Sequence, residues 1–390
     1  MQDWKASIDW RQATMAAVLV ALCVAFHLLS RGLFLTAENL YNLFQQTAVV
    51  GIVATVFVPI IVARHIDLSV GSTIGFVGVL VAFLIYSKQW PWPAATLAGL
   101  VLALAIAIYQ GALSAWLGVP SFVVTLGGLM SFRGAAFLVA DGKTQPLSDP
   151  LLLALGGGYN GAIGTQWSWV LGLAVCAALT VALLLRRQRE ARFGAVLRPL
   201  ALDVTLTLLP CALVLAFVAT MNTYQIPNKD APQGVPVPVL IWAAVAGLLA
   251  FVVRRTRFGR YVFAMGGNPE AAELVGIPVR RVTLQLYALL GVLVCVAAVV
   301  SIARLNAGTN SLGTGMELYV IAAAVIGGTA LSGGTGTIMG SVLGALIMQT
   351  LDSGMLLLDV SIGMRMVLIG QVLIAAVVFD VLYRRFTGER

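Results

Sequence analysis

Residue types that could do chemistry are sparse in this chain, and none is grouped for catalysis. Asp67, Arg133, Asp203, Asp380 and His27 are scattered along it, with no paired carboxylates for acid–base work and no His/Cys cluster at metal-ligand spacing. The four cysteines, Cys23, Cys176, Cys211 and Cys295, lie inside apolar runs and read as small packing residues, without a disulfide framework or a metal site. The glycine-rich GGTGTIMG (333–340) invites a phosphate-loop reading. It lacks the Gly-Lys-Ser/Thr ending whose lysine and hydroxyl hold nucleotide and magnesium, so Gly333 and Gly334 read as a hinge or packing turn. Hydrogen-bonding chemistry remains. Asp67 and Ser69 sit together in IDLSVGS (66–72), and Ser121 and Thr125 offer hydroxyls further on. A carboxylate at a bilayer centre costs about 2.5–3.5 kcal/mol on insertion scales. Asp67 is therefore expected to face a cavity or partner, or to cap a helix beginning near Ser69.

The elements that must position these groups are apolar helices. Of 390 residues, 60% are hydrophobic and 10% charged, against about 25% charged in soluble domains. Apolar runs near the roughly 20 residues needed to cross a bilayer recur, and they do not alternate as barrel strands would. Twelve segments are expected, at 13–30, 47–64, 72–87, 94–117, 119–140, 165–186, 199–220, 237–253, 283–303, 317–329, 335–352 and 366–383. Those at 72–87 and 317–329 are short and suggest broken or re-entrant helices, so ten to twelve crossings are expected. Gly71 and Gly75 form a small-xxx-small pair, as do Gly336, Gly340 and Gly344, a spacing that lets helices approach closely. The likeness of LSVGS (68–72) to LSGGT (331–335) hints at an internal repeat. Residues 1–390 read as a single transmembrane domain.

The net charge of +8 follows from orientation. With the N-terminus inside, 17 of the 24 Lys and Arg residues fall on the cytoplasmic side, including a loop with Arg186, Arg187, Arg189, Arg192 and Arg198. Both termini are therefore expected in the cytoplasm, and the basic excess needs no nucleic-acid partner. KQWPWP (88–93) sets two tryptophans at an interface, and NKDAPQGVPVP (228–238) reads as an external connector.

The largest basic loop, 254–282, holds a short amphipathic helix at 268–276. Asn268 suits the N-cap, Pro269 the first helical position, and Gly276 the position just past the end. Ala271, Ala272, Leu274 and Val275 can make an apolar face, while Glu270 and Glu273 stay wet. So short a helix is unstable alone and needs a docking surface. The face is too small, and too poor in aromatic anchors, to favour the membrane interface over a partner's groove.

With its flanks, RRTRFGRYVFAMGGNPEAAELVGIPVRR (254–281) resembles the cytoplasmic loop of permease subunits of bacterial ATP-driven sugar importers, the ribose/xylose/galactose branch. IDLSVGS (66–72), VPSFVVTLGGLMSFRG (119–134) and VIGGTALSGGTGTIMGSVLGALIM (325–348) agree with it in the same order. SLGTGMELYVIAAAVIGGTALSGGTGT (311–337), LDSGMLLLDV (351–360) and the extra apolar pair at 165–220 look most like the D-xylose permeases. The chain departs from the pattern at Arg64 and His65, where small residues or a carboxylate are expected.

The resemblance implies a polytopic, all-α permease of the type II ABC importer kind, with Asn268, Pro269, Glu270, Ala271, Ala272, Glu273 and Gly276 forming the helix that engages an ATPase. It implies ATPase subunits that hold ATP and magnesium, a periplasmic sugar-binding protein, a second permease copy and surrounding lipid. This chain itself would carry no cofactor. Asp67, Ser69, Gly71, Ser121, Thr125, Gly333 and Gly334 are candidates for the pathway or its gate. The expected function is passage of a monosaccharide, D-xylose foremost, across the bacterial inner membrane, with ribose or another sugar as alternatives. An ion-coupled carrier would need carboxylates in a relay, and a membrane enzyme a reactive constellation; the residues supply neither.

Overall fold

The computed structural model describes residues 10–157, 161–193, 199–225 and 232–387. The chain is almost entirely helical. Its elements are α1 (Trp10–Leu29), α2 (Ala37–Val62), α3 (Val70–Tyr86), α4 (Trp92–Trp116), α5 (Ser121–Ala140), β1 (Gln145–Pro146), α6 (Pro150–Ala154), α7 (Gly164–Arg192), α8 (Leu200–Thr223) and α9 (Val237–Arg255). There follow α10 (Arg257–Gly267), α11 (Pro269–Leu274), α12 (Val279–Leu305), β2 (Ala307–Gly308), α13 (Met316–Ile326), α14 (Ile338–Leu357) and α15 (Ile362–Thr387). β1 and β2 pair antiparallel and tie together the connectors that follow α5 and α12.

Each expected segment falls on one of α1–α5, α7–α9 or α12–α15. Among the described residues, nine helices are long and apolar enough to cross a membrane, while α3, α13 and the 362–378 part of α15 are shorter. One expectation needs correction. Arg186, Arg187, Arg189 and Arg192 are not in a loop, because α7 continues through them as a 29-residue helix. Arginine is a good helix former, so the end of the apolar run is not the end of the helix. The ion pair of Arg187 with Asp203 then joins α7 to α8. Arg198, Arg390 and the 228–231 part of the connector at 228–238 lie outside the described residues.

α2 is the central rod. It is buried along most of its length and packs against α8, α9, α10, α12, α13 and α14. Its sequence explains this: from Ala48 to Val62 nearly every side chain is apolar, so no face of the helix is suited to water. α12 lies against α2, α3 and α4, α5 against α3, and α13 against α14.

The small-xxx-small glycines serve this packing. A Cβ on Gly344 would come 1.9 Å from the Ala323 carbonyl oxygen of α13, and one on Gly340 1.9 Å from the Gly327 carbonyl oxygen. Backbone cannot yield as a flexible side-chain tip can, and overpacking of this kind typically costs about 1–3 kcal/mol. Gly344→Ala is accordingly expected to lower the thermal midpoint of the detergent-solubilised protein. Gly370→Ala, at a position with nothing within 4 Å, should leave it unchanged or slightly raised.

Candidate functional site

The first polar cluster is built where α2 breaks and α3 begins. α2 closes with a Schellman pair: the His65 N–H donates to the Ile60 carbonyl at 3.0 Å and the Arg64 N–H to the Ile61 carbonyl at 2.8 Å. The exposed peptide groups of the turn are then answered from α5. The Ile66 N–H donates to Ser121 Oγ at 3.1 Å, and the Leu68 N–H to Thr125 Oγ1 at 3.1 Å. Asp67 is fully enclosed, and its Oδ1 accepts from both the N–H and the hydroxyl of Ser69 at 2.7 Å. Gln110 Nε2 of α4 donates to the same Ser69 hydroxyl at 2.8 Å.

Burial shifts Asp67 and His65 in opposite directions. It pushes the Asp67 carboxyl up to about 6, against the opposing hydrogen bonds from Ser69, and pushes the neighbouring His65 down to about 4.

A second cluster joins three distant parts of the chain. α10 starts at Thr256, whose hydroxyl accepts from the Gly259 N–H at 3.3 Å. At its other end, Arg64 donates from Nε to the Gly266 carbonyl at 2.7 Å and from Nη2 to the Gly267 carbonyl at 2.6 Å. These carbonyls lie at a helix C-terminus, where a cation is favoured by the helix dipole, and each charge-assisted bond is worth about 1.5–3 kcal/mol where shielded from water. The α13–α14 linker meets the same point, since the Gly334 N–H donates to the Val62 carbonyl at 2.9 Å.

α11 follows directly. Asn268 Oδ1 accepts from the Ala271 N–H at 3.0 Å. The far end is a second Schellman pair, Ile277 N–H to Ala272 carbonyl at 3.0 Å and Gly276 N–H to Glu273 carbonyl at 2.9 Å, with Gly276 at φ +84°. The helix proper is Pro269–Leu274, and its residues do not share one face. Ala272 is buried against this chain's own core, whereas Leu274 and Val275 stand 88% and 77% exposed. Glu270, Ala271 and Glu273 are exposed. What is presented outward is thus an apolar pair beside two carboxylates.

The third feature is a cavity of about 300 Å³ between α2, α12, α13 and α14, roofed by the 309–314 connector. This is at the low end of the roughly 300–1,000 Å³ typical of small-molecule pockets. Its walls carry hydrogen-bonding groups of both senses. Gln349 Nε2 donates to Gln46 Oε1 at 2.7 Å, and the Tyr319 hydroxyl donates to Asp352 Oδ1 at 3.2 Å. Arg365 approaches the same Asp352 oxygen at 3.4 Å. Arg304, also in the wall, has a buried Nε with no hydrogen-bond partner. Such a lining can both donate to and accept from a small polar ligand.

Of the expected pathway residues, Asp67, Ser69, Ser121 and Thr125 do converge, but their polar atoms engage one another and the backbone of the turn. Gly71 is brought elsewhere, where a Cβ would meet the Gly313 carbonyl oxygen at 2.3 Å and Glu317 Oε2 at 2.2 Å. Gly333 and Gly334 lie at the Val62–Arg64 corner with φ of +87° and +79°. Sequence reasoning missed Gln46, Arg304, Tyr319, Gln349 and Asp352. The available signal was polar side chains inside or at the ends of apolar runs. Arg133, counted as isolated, donates to the Asn310 and Leu312 carbonyls at 3.0 and 2.8 Å and so holds the cavity's roof.

A multi-pass bundle, a cavity of mixed polar and apolar lining among its helices and an outward-presented short helix together describe a membrane permease. Residues 39–377 match the family model described as branched-chain amino acid transport system / permease component, and the chain belongs to that family. It is 36% identical over 375 residues to the xylose transport system permease protein XylH of Haemophilus influenzae, covering 96% of this chain and 97% of that one. Identity is 35% over 374 residues to XylH of Escherichia coli K12, covering 96% and 92%. Against the ribose import permease protein RbsC of the same strain it is 30% over 369 residues, covering 95% and 93%. No solved structure matches the chain.

The Asp67 carboxyl supplies a pH test. Its folded-state pKa, about 6, lies above the ordinary 3.8, so proton binding favours the folded state, and that stabilisation is lost as pH rises from about 4 through 6. Asp67→Asn mimics the protonated acid. The thermal midpoint of the wild type relative to this variant should therefore fall across that window, measured in detergent at pH 4 to 7.5, and a constant difference would contradict the assignment.

Proposed function

We propose that this chain is the membrane-spanning subunit of an ATP-driven monosaccharide importer, with D-xylose as its principal substrate. The observation that carries the ATP-driven part is α11, a doubly capped six-residue helix that turns Leu274 and Val275 outward. Exposed apolar side chains on a helix too short to stand alone call for a groove to receive them. An ATPase subunit fills that need, holding ATP and magnesium on its own chain. Glu270 and Glu273 add charge that a basic rim can meet.

The rest follows from the same reading. Two copies flank one pathway within lipid of the bacterial inner membrane, with both termini and α11 on the cytoplasmic side. A periplasmic binding protein delivers the sugar from the other side. The cavity lined by Gln46, Tyr319, Gln349 and Asp352 is where the sugar's hydroxyls exchange water for protein partners. Identity to the xylose permeases supports D-xylose over ribose.

Proteoliposomes containing this chain, its ATPase and its binding protein should take up radiolabelled D-xylose only with internal ATP and all three components. Leu274→Asp should abolish co-purification of the ATPase while the permease stays folded; uptake by this chain alone on an ion gradient would refute the proposal. In the cavity, Asp352→Asn should raise the KM for uptake about tenfold, the scale of losing one charge-assisted hydrogen bond. An unchanged KM would move the sugar's route elsewhere.

A further inference from the structure

We infer that Arg64 is the positioning residue through which motion of α11 reaches the membrane helices. This rests on the reading of α11 as the ATPase dock and adds the route inward.

The residue occupies an unusual place. It is the C′ position of α2, at φ +63°, where the left-handed backbone favours glycine. A glycine there would close the helix with less strain. The side chain is exposed on the whole, so it does not fill the core. Its guanidinium edge instead makes a two-pronged grip on the carbonyls of Gly266 and Gly267, 202 and 203 residues away in sequence. The next residue is Asn268, the N-cap of α11. Any displacement of α11 thus acts at once on the carbonyls that Arg64 holds.

From Arg64 the connections are short. Two residues on, Ile66 is bonded to Ser121 and, beyond it, Leu68 to Thr125, both on α5, while Asp67 is bonded to Ser69, itself held by Gln110 of α4. In the other direction lies α2, whose Gln46, Val49 and Val50 line the cavity. Sixteen residues separate Gln46 from Val62, about 24 Å of helix at 1.5 Å per residue. The surroundings leave little slack. A Cβ on Gly266 would come 1.8 Å from the Val62 carbonyl oxygen, and one on Gly333 2.5 Å from Arg64 Cγ. α10, α2 and the α13–α14 linker can separate only by breaking these contacts. Lysine has one ammonium and no planar edge, and cannot grip two successive carbonyls in the same way.

The test uses the complete transporter in proteoliposomes, with D-xylose uptake and ATP hydrolysis measured together. Arg64→Gly removes the grip while suiting the backbone, so the fold is expected to persist. The ATP consumed per sugar should then rise about tenfold, the scale of a typical coupling energy between two sites, with ATPase co-purification unchanged. Arg64→Lys should lie between. A wild-type ratio in Arg64→Gly would overturn the inference. So would equal losses of uptake and hydrolysis in both variants, the mark of a merely structural residue. Leu274→Asp separates the two levels: if it leaves ATPase binding intact, the docking assignment fails, whatever Arg64 does.

Discussion

Backbone that leaves a helix inside an apolar bundle has no water to satisfy its N–H and C=O groups, and the chain must answer them itself. Most polar side chains considered above serve this requirement. Ser121 and Thr125 answer the turn after α2, Asp67 holds the start of α3 through Ser69, and Arg133 answers the connector after α12. Arg64 binds the last carbonyls of α10 in a similar way, at a corner partly open to solvent. The scarcity of charge is thus compatible with broken corners, because each is served by a few well-aimed groups. It also accounts for the absence of any catalytic grouping among these residues: their polar atoms are engaged in holding the chain.

Those corners are where the bundle can change shape. α2 is a long apolar rod buried on nearly all sides, and dense packing resists bending along it. The 63–69 turn, the 306–315 connector and the 327–337 linker depend on a few hydrogen bonds each. Rigid helices with discrete junctions suit hinge and shear movement, in which small displacements at one end are carried whole to the other. The cavity meets α2 midway along it, at Gln46, Val49 and Val50, and the α10–α11 junction meets it just past its C-terminal end. A rod pinned in this way carries a displacement of its end to the cavity wall.

How far the sequence discloses this depends on whether a feature is local. Asn268, Pro269 and Gly276 mark α11 because caps are written in neighbouring residues, and the helix lies within a residue or two of its expected bounds. The apolar runs locate twelve of the fifteen helices for the same reason, and leave out α6, α10 and α11. Arg64 was legible only as an oddity, since its partners at Gly266 and Gly267 are some 200 residues away. The cavity was not legible at all. Gln46, Arg304, Tyr319, Gln349 and Asp352 come from four helices, and each resembles an isolated polar residue until the bundle closes. Ala272 shows the intermediate case. Spacing places it with Leu274 and Val275 on an apolar helix, but only the packing against this chain's own core reveals that it points inward while they point out.

The composition of the cavity fits a passage better than a storage site. Val49, Val50, Leu305, Leu312 and Met316 share its wall with amide, hydroxyl, carboxylate and guanidinium groups, and among these lining residues Tyr319 alone is aromatic, whereas further aromatic faces would add large, desolvated contact area and slow release. Gln46 and Gln349 bond to each other, as do Tyr319 and Asp352, so an entering hydroxyl exchanges existing partners at these pairs, while Arg304 Nε offers it one unmet donor. The net gain from such an exchange is small, because a hydrogen bond formed replaces one broken. A transported molecule must be held strongly enough to leave water and weakly enough to leave the protein, and a lining of self-paired polar groups meets both conditions. On the proposed reading, tight capture then belongs to the binding protein outside and the energy to the ATPase inside. This chain contributes the corners that connect them.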